Sequence, residues 1–309
     1  MRTVVTGGAG FIGSNLVDEL LRRGDAVVVV DDLNTGFKDN IDPRVEFIEG
    51  SITDAELMLA AVQGADRVFH LAAHGGVFRS VQQPLVSDTA NTHGTLGVLE
   101  ATRQAGIARF VCASSSSVYG GADIVPTPET APLLPRSPYA VTKLVGEHYA
   151  RVYAELFGME TVALRFFNVF GPRQRPDSQY AAVIPLFIDA LRRGDRPVVF
   201  GDGGQSRDFT FIDDVVRAVI AASEAPAATC SGKVYNVACN AQYSLLDLLS
   251  TLGDLLGVEP DPEFTDPRPG DVRHSQALVE AAAADLGWRA EVTFVDGLRR
   301  TVDWFSARS

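Results

Sequence analysis

The stretch TGGAGFIGS, residues 6 to 14, sets Gly7, Gly10 and Gly13 between an apolar strand, RTVVT, and a helical pattern, FIGSNLVDELLRR, that stops at Gly24. Few sequences constrain a fold as strongly. Glycines at this spacing let the backbone turn sharply from strand into helix. They also keep side chains away from the helix N-terminus, where unpaired N–H groups point outward and can hold a phosphate. The spacing is GxxGxxG, not GxGxxG. Alone it fits any tight turn; placed at the first strand-to-helix junction, it points to a dinucleotide pyrophosphate.

Beyond Gly24 the chain repeats the same alternation. AVVVVDD, VEFIEGS, RVFHLAA, RFVCASS and ETVALRFFNVFG read as strands; TDAELMLAAVQG, ANTHGTLGVLEATRQAG and SPYAVTKLVGEHYARVYAELFG read as helices. In the last, Ser137 is placed to cap the N-terminus and Pro138 to occupy the first turn. Near-continuous apolar strands alternating with helices predict a parallel sheet covered on both faces, the doubly wound Rossmann-type α/β plan. After residue 168 the alternation loosens, and Pro and Gly gather in GPRQRP, GDGGQSRD and DPRPGD. The expected division is a dinucleotide-binding domain over 1–167 plus about 207–238. A smaller mixed α/β substrate lobe would hold 168–206 and 239–309.

Bulk properties narrow the partners. Of 309 residues 46% are apolar and 21% charged, the profile of a globular protein with a large core. A net charge of −12 offers no global basic field for nucleic acid or an anionic membrane surface. No run of 18 apolar residues is present, and the N-terminus does not read as a secretory signal. Cys112, Cys230 and Cys239 are too few and scattered for a disulfide framework, so a reducing cytoplasm is expected. His74, His93, His148 and His274 lack metal-ligand spacing, and His70, inside an apolar strand, reads as a satisfied core residue. No metal is expected. Asp213 and Asp214 begin a helix, which N-terminal charge stabilisation suffices to explain.

Two further features carry chemistry. The second strand ends at Asp31-Asp32, where an acid can hold a ribose 2′-hydroxyl and repel a 2′-phosphate, favouring NAD over NADP. Tyr139 and Lys143 stand four apart on one helix face. An ammonium beside a phenol, with a cationic nicotinamide nearby, lowers the phenol pKa from about 10 toward neutrality. Such a tyrosinate can take a proton from a sugar hydroxyl.

TGGAGFIG (6–13), ASSSSVYG, Tyr139-x-x-x-Lys143, LRFFNVFGPRQ (164–174), GDGGQSRDFTFIDDV (201–215) and RPGDVRHS (268–275) together resemble the extended short-chain dehydrogenase/reductase family. Within it they most resemble the nucleotide-sugar 4-epimerases, over essentially the whole chain. The resemblance implies a tightly held NAD that is recycled within each turnover. Tyr139 would be the base, Lys143 the ribose anchor and Ser115 the hydroxyl on the sugar O4. Gly7, Gly10, Phe11, Ile12 and Gly13 would line the pyrophosphate. Asp31, Asp32, Asn34, Thr35 and Gly36 would meet the adenosine, flanked by Ser51 and Ile52; many relatives carry Asp where Ser51 stands. Leu71, Ala72, Ala73, Ala113, Ser114 and Phe166 would pass close to the cofactor, with Asn91 in support. On the substrate side the resemblance assigns Ser117, Asn168, Val183, Phe200, Arg207, Arg268, Asp271 and Ser275, with Arg175 as a further candidate. It also implies a homodimer through a four-helix bundle of the helices at 88–105 and 137–157, with Leu96, Leu99, Val145 and Val152 as candidate contacts.

The serine run chooses the reaction. Dehydratases of this family carry Thr-Asp-Glu immediately before Val-Tyr-Gly, and the decarboxylases carry Glu before the Val. Here those positions are Ser115, Ser116 and Ser117. An unactivated hydroxyl is too weak an acid or base to remove the C5 proton. Groups for oxidation and return remain, which is epimerisation. The expected substrate is a UDP-hexose, UDP-glucose/UDP-galactose or the N-acetylhexosamine pair, for which the small Ser275 leaves room. UDP-glucuronate, with Arg175 and the serines on its carboxylate, is the alternative, alongside a dehydratase or decarboxylase of the same family.

Overall fold

The computed structural model describes residues 1–174, 182–267 and 272–307. The sheet begins with β1 (Arg2–Thr6), the helix α1 (Phe11–Arg22) and β2 (Ala26–Asp31), then β3 (Glu46–Glu49), α2 (Ala55–Val62) and β4 (Arg67–His70). Beyond β4 come two short helices, α3 (Val77–Gln82) and α4 (Pro84–Asp88). A single π-turn, Thr89–His93, leads from α4 into α5 (Gly94–Gln104). Next are β5 (Arg109–Ser115), the 20-residue helix α6 (Pro138–Phe157) and β6 (Glu160–Phe166). As expected, α6 is capped by the Ser137 hydroxyl, which accepts the Ala140 N–H at 3.1 Å, with Pro138 in its first turn.

Past β6 the elements shorten: β7 (Val169–Phe170), α7 (Val183–Arg193), β8 (Val198–Phe200), β9 (Ser206–Arg207), β10 (Thr210–Phe211) and α8 (Ile212–Glu224). The chain continues through α9 (Ala227–Cys230), β11 (Lys233–Val237), β12 (Tyr243–Ser244), α10 (Leu245–Leu256), β13 (Glu263–Thr265), α11 (Glu280–Leu286) and α12 (Phe294–Ser306).

Seven strands form one sheet in the order β11-β6-β5-β4-β1-β2-β3, every neighbouring pair parallel. Alternation along the strands sorts the core into two layers. Val5, Val29, Phe69, Val111 and Leu164 face the side covered by α1 and α8. Val4, Val28, Val68, Phe110 and Ala163 face the side covered by α2, α5 and α6. Burying each of the valine, leucine and phenylalanine side chains among these stabilises the fold by roughly 1.5–3 kcal/mol. Because β2 and β3 lie on one side of β1 and β4 on the other, strand order reverses between β1 and β4. A ligand crevice opens at such a point, outside the carboxyl ends of the strands.

Two expectations need revision. The predicted strand 160–171 is two strands: Phe167 N–H is drawn to the Val237 carbonyl and Asn168 takes φ +32°. That break sends β7 out of the large sheet to pair with β10. Asp214 does more than stabilise a helix start. It is fully buried, accepts the backbone N–H groups of Glu291 and Val292 at 3.1 Å each, and pairs with Arg217. It thereby ties the approach to α12 onto α8.

Candidate active site

A cleft of about 740 Å³ opens above the ends of β1, β2, β4, β5 and β6. Its floor is the glycine loop: Gly7, Gly10, Phe11, Ile12 and Gly13 all line it. Gly7 takes φ +74°, and a Cβ there would stand 2.6 Å from the Ala72 nitrogen. A Cβ on Gly13 would stand 2.0 Å from the Gly7 carbonyl oxygen. Gly10, the N-cap of α1, has no side-chain cap. The loop therefore presses against Leu71 and Ala72, just past β4, and no side chain caps the start of α1, the open helix N-terminus that a pyrophosphate cradle requires.

At the adenosine end, Asp31, Asp32, Asn34 and Thr35 line the wall, with Ser51 and Ile52 opposite. Asp31 accepts the Ala9 N–H at 3.0 Å and the Leu33 N–H at 2.9 Å, so its carboxylate also braces the glycine loop. Burial pushes its pKa up, and these two bonds oppose that. Gly36 backs this carboxylate, since a Cβ there would lie 2.7 Å from Asp31 Oδ1. Ser51 turns to Thr53, Oγ to Oγ1 at 2.8 Å.

Leu71, Ala72 and Ala73 form the middle of the cleft; Ala113, Ser114, Ser115, Tyr139, Lys143, Phe166 and Asn168 close its far end. Lys143 donates to the Ala113 carbonyl at 2.9 Å, and its nitrogen stands 5.9 Å from the centre of the Tyr139 ring. Ser115 lines the cleft with Tyr139 and accepts the Ser117 N–H at 3.2 Å. Burial lowers the Lys143 pKa to about 8, with the nearby Cys112 and Glu147 pulling it upward. The chain alone does not make a tyrosinate. Burial raises the Tyr139 pKa, and the nearby Ser115 hydroxyl opposes this. Lowering it falls to a cation bound beside the ring. Residues present thus fit an NAD along the whole cleft.

Several assigned residues serve from behind or lie elsewhere. Ser114 lines the cleft but commits its hydroxyl to Glu147 at 2.5 Å. Asn91, 2% exposed, receives the His74 N–H at 2.7 Å and donates to Thr142 at 3.0 Å, bracing the loop after β4. Ser117 Oγ is buried without a partner. Val183 begins α7 and packs on the core, and Phe200 ends β8 with its carbonyl accepting Gln205 at 2.6 Å. Arg207 lies on β9, and the Ser275 N–H donates to the carbonyl of Ser206, the residue before Arg207, at 3.1 Å, so these two are neighbours. Arg175, Arg268 and Asp271 lie outside the described residues.

Sequence reasoning missed the roof: Leu85 and Val86 of α4, Thr89 and Ala90 of the π-turn, and His74. A π-turn leaves no periodic signature, so nothing in the spacing marked these residues. His70 is a core residue as expected, between Thr6 at 2.8 Å and Thr95 at 2.9 Å. Among the described residues no cluster of His, Cys, Asp and Glu could hold a metal ion, and no helix is long and apolar enough to cross a membrane.

A parallel seven-stranded sheet, a phosphate cradle at its switch point and a Ser-Tyr-Lys group on the far wall define a nicotinamide-nucleotide enzyme of the short-chain type. The model of the NAD dependent epimerase/dehydratase family matches residues 3–238, and the chain belongs to that family. It is 40% identical, over the full length of both chains, to the UDP-glucose 4-epimerase of Mycolicibacterium smegmatis. Among solved structures it is similar to the UDP-N-acetylglucosamine 4-epimerase of Methanobrevibacter ruminantium in complex with UDP-N-acetylmuramic acid. The TM-score is 0.95 and the identity 37%, covering 100% of this chain and 99% of that one. The UDP-glucose 4-epimerase of Thermus thermophilus in complex with NAD gives a TM-score of 0.91 at 35% identity, with both chains covered completely.

Proposed function

We propose that this chain is an NAD-dependent 4-epimerase of UDP-hexoses, inverting C4 of UDP-glucose/UDP-galactose, of the UDP-N-acetylhexosamine pair, or of both. The observation that carries the reading is the far wall of the cleft: Ser115, Tyr139 and Lys143 line it together, with hydroxyls alone at 115–117 where elimination needs carboxylic acids.

When bound, NAD supplies the acceptor for the hydride leaving C4 and its donor on the return. Tyr139 takes the O4 proton, passed through Ser115, and gives it back to the same oxygen after the ketone has turned over. Lys143 holds the ribose and helps to favour the phenolate. Because burial alone raises the phenol pKa, Tyr139 becomes a base only with a cation beside it. Ser117 faces the sugar. Asn168, Arg207 and Arg268 hold the nucleotide diphosphate, Asp271 takes a ribose or structural role, Val183 and Phe200 frame the base, and Ser275 leaves space at C2. Arginine suits this work in an acidic chain because its fork matches phosphate oxygens in pairs.

The enzyme works in the cytoplasm as a homodimer whose four-helix bundle pairs α5 and α6. Val141 and Leu156, exposed by 47% and 70%, and the half-buried Val145 and Val152 supply the apolar face. Leu99 does not, because it is wholly buried in the core. Residues 1–167 with 207–238 form the cofactor domain, and 168–206 with 239–309 the substrate lobe.

The test is to incubate the purified protein with UDP-glucose, UDP-N-acetylglucosamine and UDP-glucuronate without added cofactor and to read products by proton NMR. C4 inversion of a neutral hexose is expected. A stable keto product, or no inversion anywhere on the panel, overturns the reading.

A further inference from the structure

One turn beyond Lys143, on the same buried face of α6, stands Glu147, 4% exposed. Both its oxygens are occupied. Oε1 accepts the Ser114 hydroxyl at 2.5 Å and Arg165 Nε at 2.8 Å, and Oε2 accepts Arg165 Nη2 at 2.7 Å. Ser114 precedes Ser115 at the end of β5, and Arg165 precedes Phe166 at the end of β6. The remaining Arg165 nitrogen donates to the Tyr119 hydroxyl at 2.7 Å and the Glu129 carbonyl at 3.1 Å. Tyr119 in turn donates to Asn236 Oδ1 at 2.7 Å.

Stability does not explain this pair. Withdrawing two charges from water costs several kcal/mol per ion, and an apolar pair of similar volume is often as stable or more so. What an ion pair provides that an apolar pair cannot is direction. A guanidinium fork on a carboxylate fixes angles as well as distance. Here the fork and one hydroxyl converge on a single carboxylate from two strands. They tie the strand end carrying Ser115 to the helix carrying Tyr139 and Lys143. A misplacement of about 1 Å at such a centre can cost about a hundredfold in rate.

We propose that Glu147 and Arg165 are a positioning pair: with Ser114 they lock the end of β5 to α6, so that the Ser115 hydroxyl, the Tyr139 phenol and the Lys143 ammonium keep one register. The proposal rests on the reading of Tyr139 as the base. Neither residue touches substrate or cofactor; both act through the residues beside them.

Two variants test it. Ser114→Ala removes one bond and no charge, and the double change Glu147→Met with Arg165→Met replaces the pair by apolar side chains. Ser114→Ala is expected to lower kcat about tenfold with KM unchanged and a near-native melting temperature. The double variant is expected to melt at or above the wild type yet lose about a hundredfold in kcat. With NAD bound, the Tyr139 phenol, read as difference absorbance against the matching Tyr139→Phe protein, is expected to titrate about one pH unit higher in both. A double variant with native melting, turnover and phenol titration overturns the proposal. If it does not fold, unchanged kcat and titration in Ser114→Ala do the same. A wild type that inverts no sugar defeats the reading of the reaction instead, and the phenol titration still judges the positioning pair.

Discussion

The two ends of the cleft are built by different means. At the pyrophosphate end, five lining residues fall within seven positions of the chain, Gly7 to Gly13, and the binding groups are backbone N–H donors at a helix start. At the sugar end, Ser115, Tyr139, Phe166 and Asn168 come from β5, α6, the end of β6 and the break after it, with Arg207 on β9 and Ser275 near it further off. A backbone site depends on conformation alone and resists change unless a Cβ intrudes. A side-chain site depends on packing partners far apart in sequence, and each member can be lost separately.

That contrast can be broken one residue at a time. The largest effect is expected at Tyr139→Phe, which removes the base while leaving the cradle: kcat should fall about 10³-fold with bound NAD retained, measured by NMR turnover and by cofactor released on denaturation. Retained turnover would remove Tyr139 from the mechanism. Gly13→Ala should do the reverse. Its methyl would collide with the Gly7 carbonyl, so NAD content should fall and the melting temperature with it, by about 1–3 kcal/mol of stability. Arg207→Ala should spare both NAD and fold and raise KM for the UDP-sugar about tenfold, equivalent to the loss of one charge-assisted contact.

The smallest effect separates the two halves by their response to acid. Burial lowers the pKa of His70, inside the large sheet, to about 3, with Lys143 adding to the shift. Its unfolded value is near 6.5, so the unfolded chain binds the extra proton between the two, and stability falls as pH drops from 6.5 toward 3. Burial raises the pKa of Asp208, in the second half, to about 6, against its backbone bonds to Ala277 and Cys239. Here the folded chain holds the extra proton, and stability falls as pH rises from about 4 to 6. Denaturant titrations between pH 4 and 6.5 should show His70→Gln flattening the acid loss and Asp208→Asn steepening it. Each slope is at most about 1.4 kcal/mol per pH unit. Parallel slopes in the two variants would mean that the halves do not differ in this way.

Much of the cofactor end was legible because its signals are local. Glycines at a strand-helix junction, Ser137 before Pro138 and the apolar run AVVVVD each act within a few residues, where sterics and hydrogen bonding decide the conformation without help. The sugar end was legible in its residue types but less in its arrangement. Ser114 looked like a cofactor contact, yet its hydroxyl turns to a carboxylate 33 positions away. The break at Asn168 depends on Val237 holding Phe167, and the roof at Leu85 to Ala90 depends on a π-turn, neither of which has a sequence period.

By itself the sequence determined the alternation of the sheet strands and helices as far as β6, the phosphate cradle, the Tyr139–Lys143 spacing and the absence of acids at 115–117, all properties of short range or of composition at a position. Tertiary structure decided that β11, from late in the chain, completes the sheet beside β6. It also decided that burial raises the Tyr139 pKa and that Glu147 on the same helix meets Arg165. Burial and pairing set protonation and direction, and both arise only when strands and helices distant in sequence exclude water together.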